Sequence, residues 1–168
     1  IQAVKEITYP VLLRPSYVLG GRAMRVVKND EELKNYLSIL STSDEDGNPF
    51  NSGPLLVDEF LTNTIEIDVD LISDGKEVFT AGILEHLEPA GVHSGDSTAV
   101  LPPFSISEKL IKEIQNKSIK LAKSLKVRGL LNIQFAIKDD NIFILEANPR
   151  ASRTMPFVAK VTGNQIIK

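Results

Sequence analysis

The sequence predicts an α+β fold in which a mostly antiparallel sheet is covered on one side by helices. In the run Glu66–Ile72 acidic and aliphatic side chains alternate as far as Leu71, a pattern typical of a half-buried strand. Asp74-Gly75 then predicts a tight turn, and the apolar run at 78–84 predicts the partner strand. Apolar residues recur at helical spacing within 108–125, so we expect a long helix, capped by Ser105 or Ser107, that packs on this sheet.

Composition is that of an ordinary soluble globular protein. The chain has 168 residues, of which 42% are hydrophobic and 24% charged, enough for one domain with a substantial core. A net charge of −3 gives no indication of nucleic-acid binding, and no apolar run is long enough to span a bilayer. The absence of cysteine excludes disulfides, thiolate chemistry and cysteine–zinc sites. We therefore expect a cytoplasmic protein with neither nucleic acid nor membrane as a partner.

Both chain ends have the character of cuts. The sequence begins at Ile1 without an initiator Met, and its first residues contain no basic region or cleavage site of a signal peptide. It ends at Lys168 in the middle of a sequence pattern. We expect residues 1–168 to be one piece of a larger enzyme.

Local patterns predict the remaining elements in chain order. Short apolar runs favour strands, Ser-, Asp-, Gly- and Pro-rich stretches favour loops, and a cap followed by an apolar stripe favours a helix. On these grounds we expect a helix tail at 3–7, strands at 9–14 and 24–28, a helix from Asn29 or Asp30 with its stripe at Leu33, Tyr36, Leu37 and Leu40, an exposed loop at 41–53, a buried strand at 55–61, a polar loop at 85–97 and a final helix from Phe157.

The loop between the first two strands contains Gly20-Gly21, flanked by Arg14 and Arg22. Paired glycines allow backbone amides to approach an anion closely, and the arginines supply positive charge. A bare Gly-Gly usually marks only a turn. Between two arginines and two strands, a loop that covers a phosphate is the better interpretation.

The stretch 132–154 carries the strongest chemical signal. Two β-branched runs flank a polar break at 138–141, which predicts a hairpin. Residues two apart in a strand share a face, so Glu146 and Asn148 project together and Gln134 can face them from the partner strand. One carboxylate and two amide oxygens suit Mg²⁺ with phosphate oxygens completing the shell, and Arg150 and Arg153 just beyond suit phosphate. The alternative is a polar edge strand followed by a basic loop.

Several charged residues have an ordinary structural interpretation. Asp68 and Asp70 are expected on a solvated strand face, and the lysines of 108–125 on a solvated helix face. His86 and His93 lie seven apart on a Gly-containing loop without cysteine, which does not indicate a zinc site.

Longer motifs carry a resemblance to a known family. Glu146-Ala-Asn148-Pro-Arg150 after a Gln-bearing strand resembles the end of an ATP-grasp nucleotide site. The chain from Tyr9 to Gly163 resembles the carbamoyl phosphate synthetase large subunit, and specifically its second synthetase half. The motifs that carry this are Arg14-Pro-Ser-Tyr-Val-Leu-Gly-Gly-Arg22-Ala-Met24, Gly91-Val-His-Ser-Gly-Asp-Ser97 and Arg128-Gly-Leu-Leu-Asn-Ile-Gln134.

The resemblance implies ATP and Mg²⁺ or Mn²⁺ as cofactors, with K⁺ near Glu66, His86 and Val92. It places adenine at Glu59 and Leu61, largely through their backbone groups, and the ribose hydroxyls at Glu66. The implied nucleotide-binding residues are Arg22, Glu59, Leu61, Glu66, Gly91, Val92, His93, Ser94, Gln134 and Glu146. The implied metal ligands are Gln134, Glu146 and Asn148, and the implied catalytic residues are Arg150 and Arg153.

The resemblance also implies an ATP-grasp fold that lacks its preceding subdomain, and the phosphorylation of carbamate to carbamoyl phosphate. In the intact enzyme this would serve glutamine-dependent synthesis for pyrimidines and arginine, with a glutamine amidotransferase small subunit and the rest of the large subunit as partners. We expect the fragment to fold but to be inactive. Two alternatives stay open, another ATP-grasp carboxylase or ligase and a non-catalytic nucleotide-binding module.

Overall fold

Every strand pairing in the described part of the chain is antiparallel. The computed structural model describes residues 2–16, 24–40, 54–88 and 96–166. The chain divides into two compact units, Ile1–Leu61 and Thr62–Lys168. The predicted loop at 41–53, the Gly20-Gly21 loop and the segment 89–95 lie outside the described residues.

The first unit is a three-stranded sheet with two helices. Its helices are α1 (Gln2–Ile7) and α2 (Asp30–Leu40), and its strands, in the order β2-β1-β3, are β1 (Val11–Pro15), β2 (Arg25–Val27) and β3 (Leu55–Glu59). Asn29 caps α2 as predicted, because its Oδ1 accepts a 2.9 Å hydrogen bond from the backbone N–H of Glu32. The buried core joins both helices to the sheet and consists of Val4, Val11, Leu13, Val27, Leu33 and Tyr36.

The predicted buried strand at 55–61 is wrong in its burial. The strand β3 ends at Glu59, lies at the edge of its sheet and contains only half-buried and exposed residues. Leu56, for example, is 49% exposed. An edge strand has a neighbour on one side only, so fewer of its side chains are covered.

The second unit is a five-stranded sheet in the order β6-β5-β4-β7-β8. Its strands are β4 (Ile65–Ser73), β5 (Val78–His86), β6 (Ala99–Val100), β7 (Gly129–Lys138) and β8 (Asn141–Asn148), and its helices are α3 (Glu108–Ser124) and α4 (Met155–Thr162).

Both predicted hairpins of the second unit are confirmed. Asp74 Oδ1 accepts the backbone N–H groups of Lys76 and Glu77 in the β4–β5 turn. Asp139 and Asp140, at φ of 49° and 61°, make the β7–β8 turn. Short polar side chains such as Asp tolerate this left-handed conformation, which explains a tight turn without the usual Asn-Gly pair.

The two faces of the five-stranded sheet are covered by different helices. On one face Ile67, Val69 and Leu71 pack with Leu110 and Ile114 of α3. Each such fully buried aliphatic side chain contributes about 1.5–3 kcal/mol. On the other face Met155 and Val158 of α4 pack against Ala81 and Leu84. The α+β fold class is confirmed, but the prediction that helices cover only one side of the sheet is wrong, because α4 packs on the second face.

Two further boundaries differ from expectation. Glu85 and His86 are buried at the end of β5, and not in a polar loop, because β6 pairs with them. The helix α4 begins at Met155, two residues before Phe157, and is capped by Gly163 in the left-handed conformation.

No helix among the described residues is long and apolar enough to cross a membrane.

Gly82 lets α4 approach the sheet closely. A Cβ at position 82 would lie 2.8 Å from Cγ1 and 2.9 Å from Cγ2 of Val158. We expect Gly82→Ala to lower the free energy of unfolding by about 1–3 kcal/mol, since the helix must shift. The measurement is urea unfolding, with Val158→Ala as a second background. Removal of the two methyl groups should shrink the penalty, and an equal penalty in both backgrounds would contradict the contact.

Candidate functional site

One face of the second unit's sheet is polar. The aliphatic residues of β4 face α3, so its alternating acids project to the opposite face. Directly paired residues share a face, and the register pairs Asp68 with Gln134 and Asp70 with Asn132. It also pairs Gln134 with Glu146 on β8. The resulting polar face contains Glu66, Asp68, Asp70, His86, Asn132, Gln134, Glu146 and Asn148.

The structure brings together the three predicted metal ligands on this face. Gln134 lies directly opposite Glu146, and Asn148 Nδ2 donates a 2.7 Å hydrogen bond to Glu146 Oε1. Glu146 is exposed, while Gln134 and Asn148 are half-buried. That bond uses the amide nitrogen of Asn148, so its carbonyl oxygen stays available as a ligand. One carboxylate and two amide oxygens fit Mg²⁺ when phosphate oxygens or water supply the other positions.

Within the described ranges, no three His, Asp or Glu side chains converge on a common point as a metal-binding group. The candidate metal set contains one carboxylate and therefore falls outside that pattern.

The two predicted catalytic arginines follow β8 immediately. The backbone N–H of Arg150 donates to the carbonyl of Asn148 at 2.8 Å, which turns the chain at the end of the strand. Arg150 Nη1 donates to the carbonyl of Ala151 at 3.1 Å. Both Arg150 and Arg153 are exposed beside the candidate ligands. Guanidinium groups in such a place are suited to phosphate oxygens.

The other predicted site residues are distributed differently. Glu66 lies half-buried on the polar face, at the start of β4. Glu59 is the exposed last residue of β3 and Leu61 is the last residue of the first unit, so both belong to the first unit. The remaining predicted nucleotide contacts lie outside the described residues, namely Arg22, Gly91, Val92, His93 and Ser94.

The expectation that Asp68 and Asp70 are solvated is wrong. Asp68 is 2% exposed and Asp70 is fully buried. His86 Nε2 lies 3.0 Å from Asp68 Oδ2, and Asn132 Nδ2 donates to Asp70 Oδ1 at 3.0 Å. Thr154 Oγ1 donates to Asp70 Oδ2 at 2.5 Å. A buried carboxylate is costly unless it is hydrogen-bonded, and these donors satisfy the pair.

This buried network was missed although the sequence contained a signal for it. The alternation of β4 already placed both aspartates on the same face as Glu66. Asn132 lies two residues before Gln134 and so shares its face. The cover supplied by α4 and the residues before it could not be read from the local pattern.

Burial and pairing shift the pKa values of this network. Burial raises the pKa of Asp70, although hydrogen bonds from Thr154, Ser152 and Asn132 oppose the shift, and the nearby Asp68 raises it further. The hydrogen bond that the Asp68 carboxylate accepts from His86 raises the pKa of His86 against the lowering effect of burial. His86 Nδ1 is buried without a partner among the described residues.

Glu88 joins the two described ends that flank the segment 89–95. Its carboxylate accepts hydrogen bonds from Ser97 Oγ at 2.7 Å, from the backbone N–H of Thr98 at 2.6 Å and from Thr98 Oγ1 at 2.9 Å. The hydrogen bond from Ser97, together with those from Thr98, lowers the pKa of Glu88 from 4.5 to about 2.

Solved structures with the same architecture define the class of this fold. A biotin carboxylase–βγ-ATP complex from Campylobacter jejuni matches with a TM-score of 0.79 and 24% identity, covering 97% of this chain and 36% of that one. The biotin carboxylase domain of a Hydrogenobacter thermophilus 2-oxoglutarate carboxylase, in complex with MgADP, ADP and bicarbonate, matches at 0.76 with 22% identity, covering 98% and 36%. The fold is an ATP-grasp fold.

Sequence relatives narrow the class to one family. A family described as the carbamoyl-phosphate synthase L chain, ATP binding domain, matches residues 1–168, and the chain belongs to this family. The large chain, C-terminal section, from Aquifex aeolicus is 50% identical over all of this chain and 30% of its own length. The large chain from Thermotoga neapolitana is 52% identical over all of this chain and 15% of its own length. The chain thus spans a minor part of these relatives, and the resemblance inferred from the motifs is confirmed.

The Glu88 contacts generate a prediction on pH. A depressed pKa in the folded state means that ionised Glu88 stabilises the protein above its ordinary pKa of 4.5, and that this stabilisation is lost as the pH falls toward 2. We expect Glu88→Gln to unfold at lower urea concentration than the wild type at pH 7. The difference between the urea midpoints of the variant and the wild type should become smaller as the pH falls below 4.5.

Glu77→Gln, at an exposed position in the β4–β5 turn, is the matched control and should show no such narrowing. A gap between Glu88→Gln and wild type that does not change with pH would contradict the assignment.

Proposed function

We propose that this chain is the nucleotide-clasping part of a carbamoyl phosphate synthase large chain that phosphorylates carbamate with ATP. The observation that carries the proposal is the placement of Gln134, Glu146 and Asn148 on one sheet face with Arg150 and Arg153 directly after them. Membership of the family and about 50% identity to named large chains support the choice of reaction.

Gln134, Glu146 and Asn148 would hold Mg²⁺, or Mn²⁺ in its place, against the nucleotide phosphates. A metal bound there supplies positive charge at the phosphate oxygens. The MgADP of the Hydrogenobacter carboxylase domain supports a nucleotide–magnesium ligand for this fold. The resemblance adds K⁺ near Glu66, His86 and Val92, and His86 Nδ1 is a buried polar atom without a partner among the described residues.

The other site residues have roles in binding and charge neutralisation. Arg150 and Arg153, together with Arg22, would offset the charge that develops on the transferred phosphoryl group. Glu66 would accept hydrogen bonds from the ribose hydroxyls, with adenine held at Glu59 and Leu61 and the nucleotide contacted by Gly91, Val92, His93 and Ser94.

The reaction needs little covalent help from the protein. An oxygen of carbamate attacks the γ-phosphorus of ATP, and the bond to the β-phosphate oxygen breaks, so that carbamoyl phosphate and ADP form. Carbamate is already an anion, so no residue has to remove a proton. Positioning and charge neutralisation therefore account for the catalysis.

The other parts of the complete enzyme would supply what this chain lacks for the overall reaction. Large chains such as that of Thermotoga neapolitana are several times longer than this chain, which covers 15% of that relative. We propose that the acceptor pocket is completed by those other parts, so that residues 1–168 alone make no measurable carbamoyl phosphate. A glutamine amidotransferase small subunit would provide nitrogen for carbamate, and the product would enter pyrimidine and arginine synthesis.

Glu146 is the only carboxylate of the proposed metal set. We expect Glu146→Gln in the complete large chain to reduce carbamoyl phosphate synthesis from carbamate by at least about 100-fold, because metal holding and phosphate alignment are lost together. The assay couples carbamoyl phosphate to citrulline formation.

Glu113→Gln is the matched control, since Glu113 lies exposed on α3, which packs on the opposite face of the sheet. Wild-type activity in Glu146→Gln at ordinary Mg²⁺ concentration would refute the metal site. Wild-type enzyme that carboxylates biotin but does not phosphorylate carbamate would point to a different ATP-grasp carboxylase.

Glu66 should act on binding more than on turnover. A ribose hydrogen bond to a carboxylate contributes similarly in the ground and transition states, so Glu66→Ala should raise the Michaelis constant for ATP about 10-fold and change kcat much less. Steady-state kinetics with ATP as the varied substrate measure both. Collapse of kcat at unchanged nucleotide affinity would move Glu66 into the chemical step.

A further inference from the structure

We infer that Asp70 is a positioning residue that holds residues 150–154, here called the arginine segment, beside the candidate metal ligands. The inference rests on the proposed function. Asp70 itself is fully buried. Its effect would pass through the hydrogen bonds that it accepts.

The first link joins Asp70 to the arginine segment. Thr154 Oγ1 donates to Asp70 Oδ2 at 2.5 Å and lies 3.0 Å from Ser152 Oγ. Ser152 Oγ also accepts the backbone N–H of Met155 at 2.9 Å, at the start of α4. The residues on both sides of Arg153 are therefore tied to the central strand β4.

The second link joins Asp70 to the metal ligands. Asn132 donates to Asp70 Oδ1 at 3.0 Å, and Asn132 is the direct cross-strand partner of Asn148. One carboxylate thus contacts the strand pair that carries the candidate ligands through one oxygen, and the arginine segment through the other. An ionised carboxylate only accepts hydrogen bonds, so it suits two donors that arrive from different elements.

The third link is the close approach of α4. Gly82 lies opposite Asp70 in the β4–β5 register, and Val158 of α4 lies over Gly82. The N–H of Val158 donates to the carbonyl of Thr154, one helical turn earlier. The absence of a side chain at Gly82 therefore lets the helix come near enough for Thr154 to reach Asp70.

Stability alone does not explain why a carboxylate is buried at position 70. A buried ionised group could be replaced by an apolar one at little or no cost in stability. Here the two carboxylate oxygens of Asp70 fix the arginine segment relative to the strands that carry the candidate metal ligands. A displacement of about 1 Å at such a site can lower a rate about 100-fold.

The test uses the complete large chain and a matched set of substitutions. Thr154→Val removes the hydroxyl at nearly constant shape, and Asp70→Asn leaves one acceptor for two donors. We expect both to lower kcat for carbamoyl phosphate synthesis about 10- to 100-fold, as loss of an outer-shell partner does, with the Michaelis constant for ATP little changed. Thr154→Ser keeps the hydroxyl and should restore most of the activity. The double variant should be no worse than the more affected single one.

Thr162→Val is the control, since it makes the same change at the other end of α4, where the hydroxyl donates to the backbone carbonyl of Val158 at 2.8 Å and accepts the N–H of Asn164 at 3.4 Å. Wild-type kinetics are expected there. A loss caused by general destabilisation would follow the melting temperature across the four single variants, and would appear in Thr162→Val and Thr154→Ser as well. That pattern, or wild-type kcat in Thr154→Val, would overturn the positioning role.

A second readout separates this inference from the proposed function. Activity of the wild type and its loss in Glu146→Gln test the proposed function in the same assay. Hydrogen exchange tests the anchor without any reaction. Amides of residues 150–155 should exchange faster in Asp70→Asn and Thr154→Val than in Thr162→Val. Equal exchange in the three variants would overturn the anchor even if the enzyme makes carbamoyl phosphate.

Discussion

The register between β4, β7 and β8 is the constraint on which the candidate site depends. Side chains alternate between the two faces of a strand, so a slip of one residue would move every polar group of a strand into the α3 core. The apolar residues at 67, 69, 71, 131, 133 and 135 exclude that slip, because they are almost fully buried against α3. The hydrophobic core thereby holds Gln134 opposite Glu146 and Asn132 opposite Asn148.

Burial on the second face has a different chemical character. There α4 covers only part of the sheet with Met155 and Val158, and the neighbouring positions are occupied by Asp68, Asp70, His86 and Asn132. Polar groups in such surroundings stabilise a unique arrangement only when their partners are in place. The donors come from β5, β7 and the residues before α4, so the network ties these elements together around β4. Glu146, Arg150 and Arg153 are exposed and lie at the solvent-accessible side of this hydrogen-bonded network.

A layer of buried, hydrogen-bonded polar residues lies between the candidate site residues and the hydrophobic core. The candidate metal ligands are half-buried or exposed, where phosphate oxygens can reach them. The residues beneath them are buried and polar. This division is common where a charged ligand must be held, since the outer groups need solvent access and the inner groups need fixed orientation.

The sequence by itself determined the two hairpins, the caps of α2 and α3, and the shared face of Gln134, Glu146 and Asn148, because these depend on local patterns. Alternation and turn residues define β4, β5, β7 and β8, and cross-strand facing of Gln134 and Glu146 follows from the two-residue period. Long motifs were enough for the family. Only the tertiary structure decided the burial of Asp68, Asp70, Glu85 and His86 and the exposure of β3. Whether a polar strand face meets water or another element depends on which distant segment packs there, and α4 and β6 lie far along the chain from β4. The contact between Thr154 and Asp70 spans 84 residues, so no local pattern contains it.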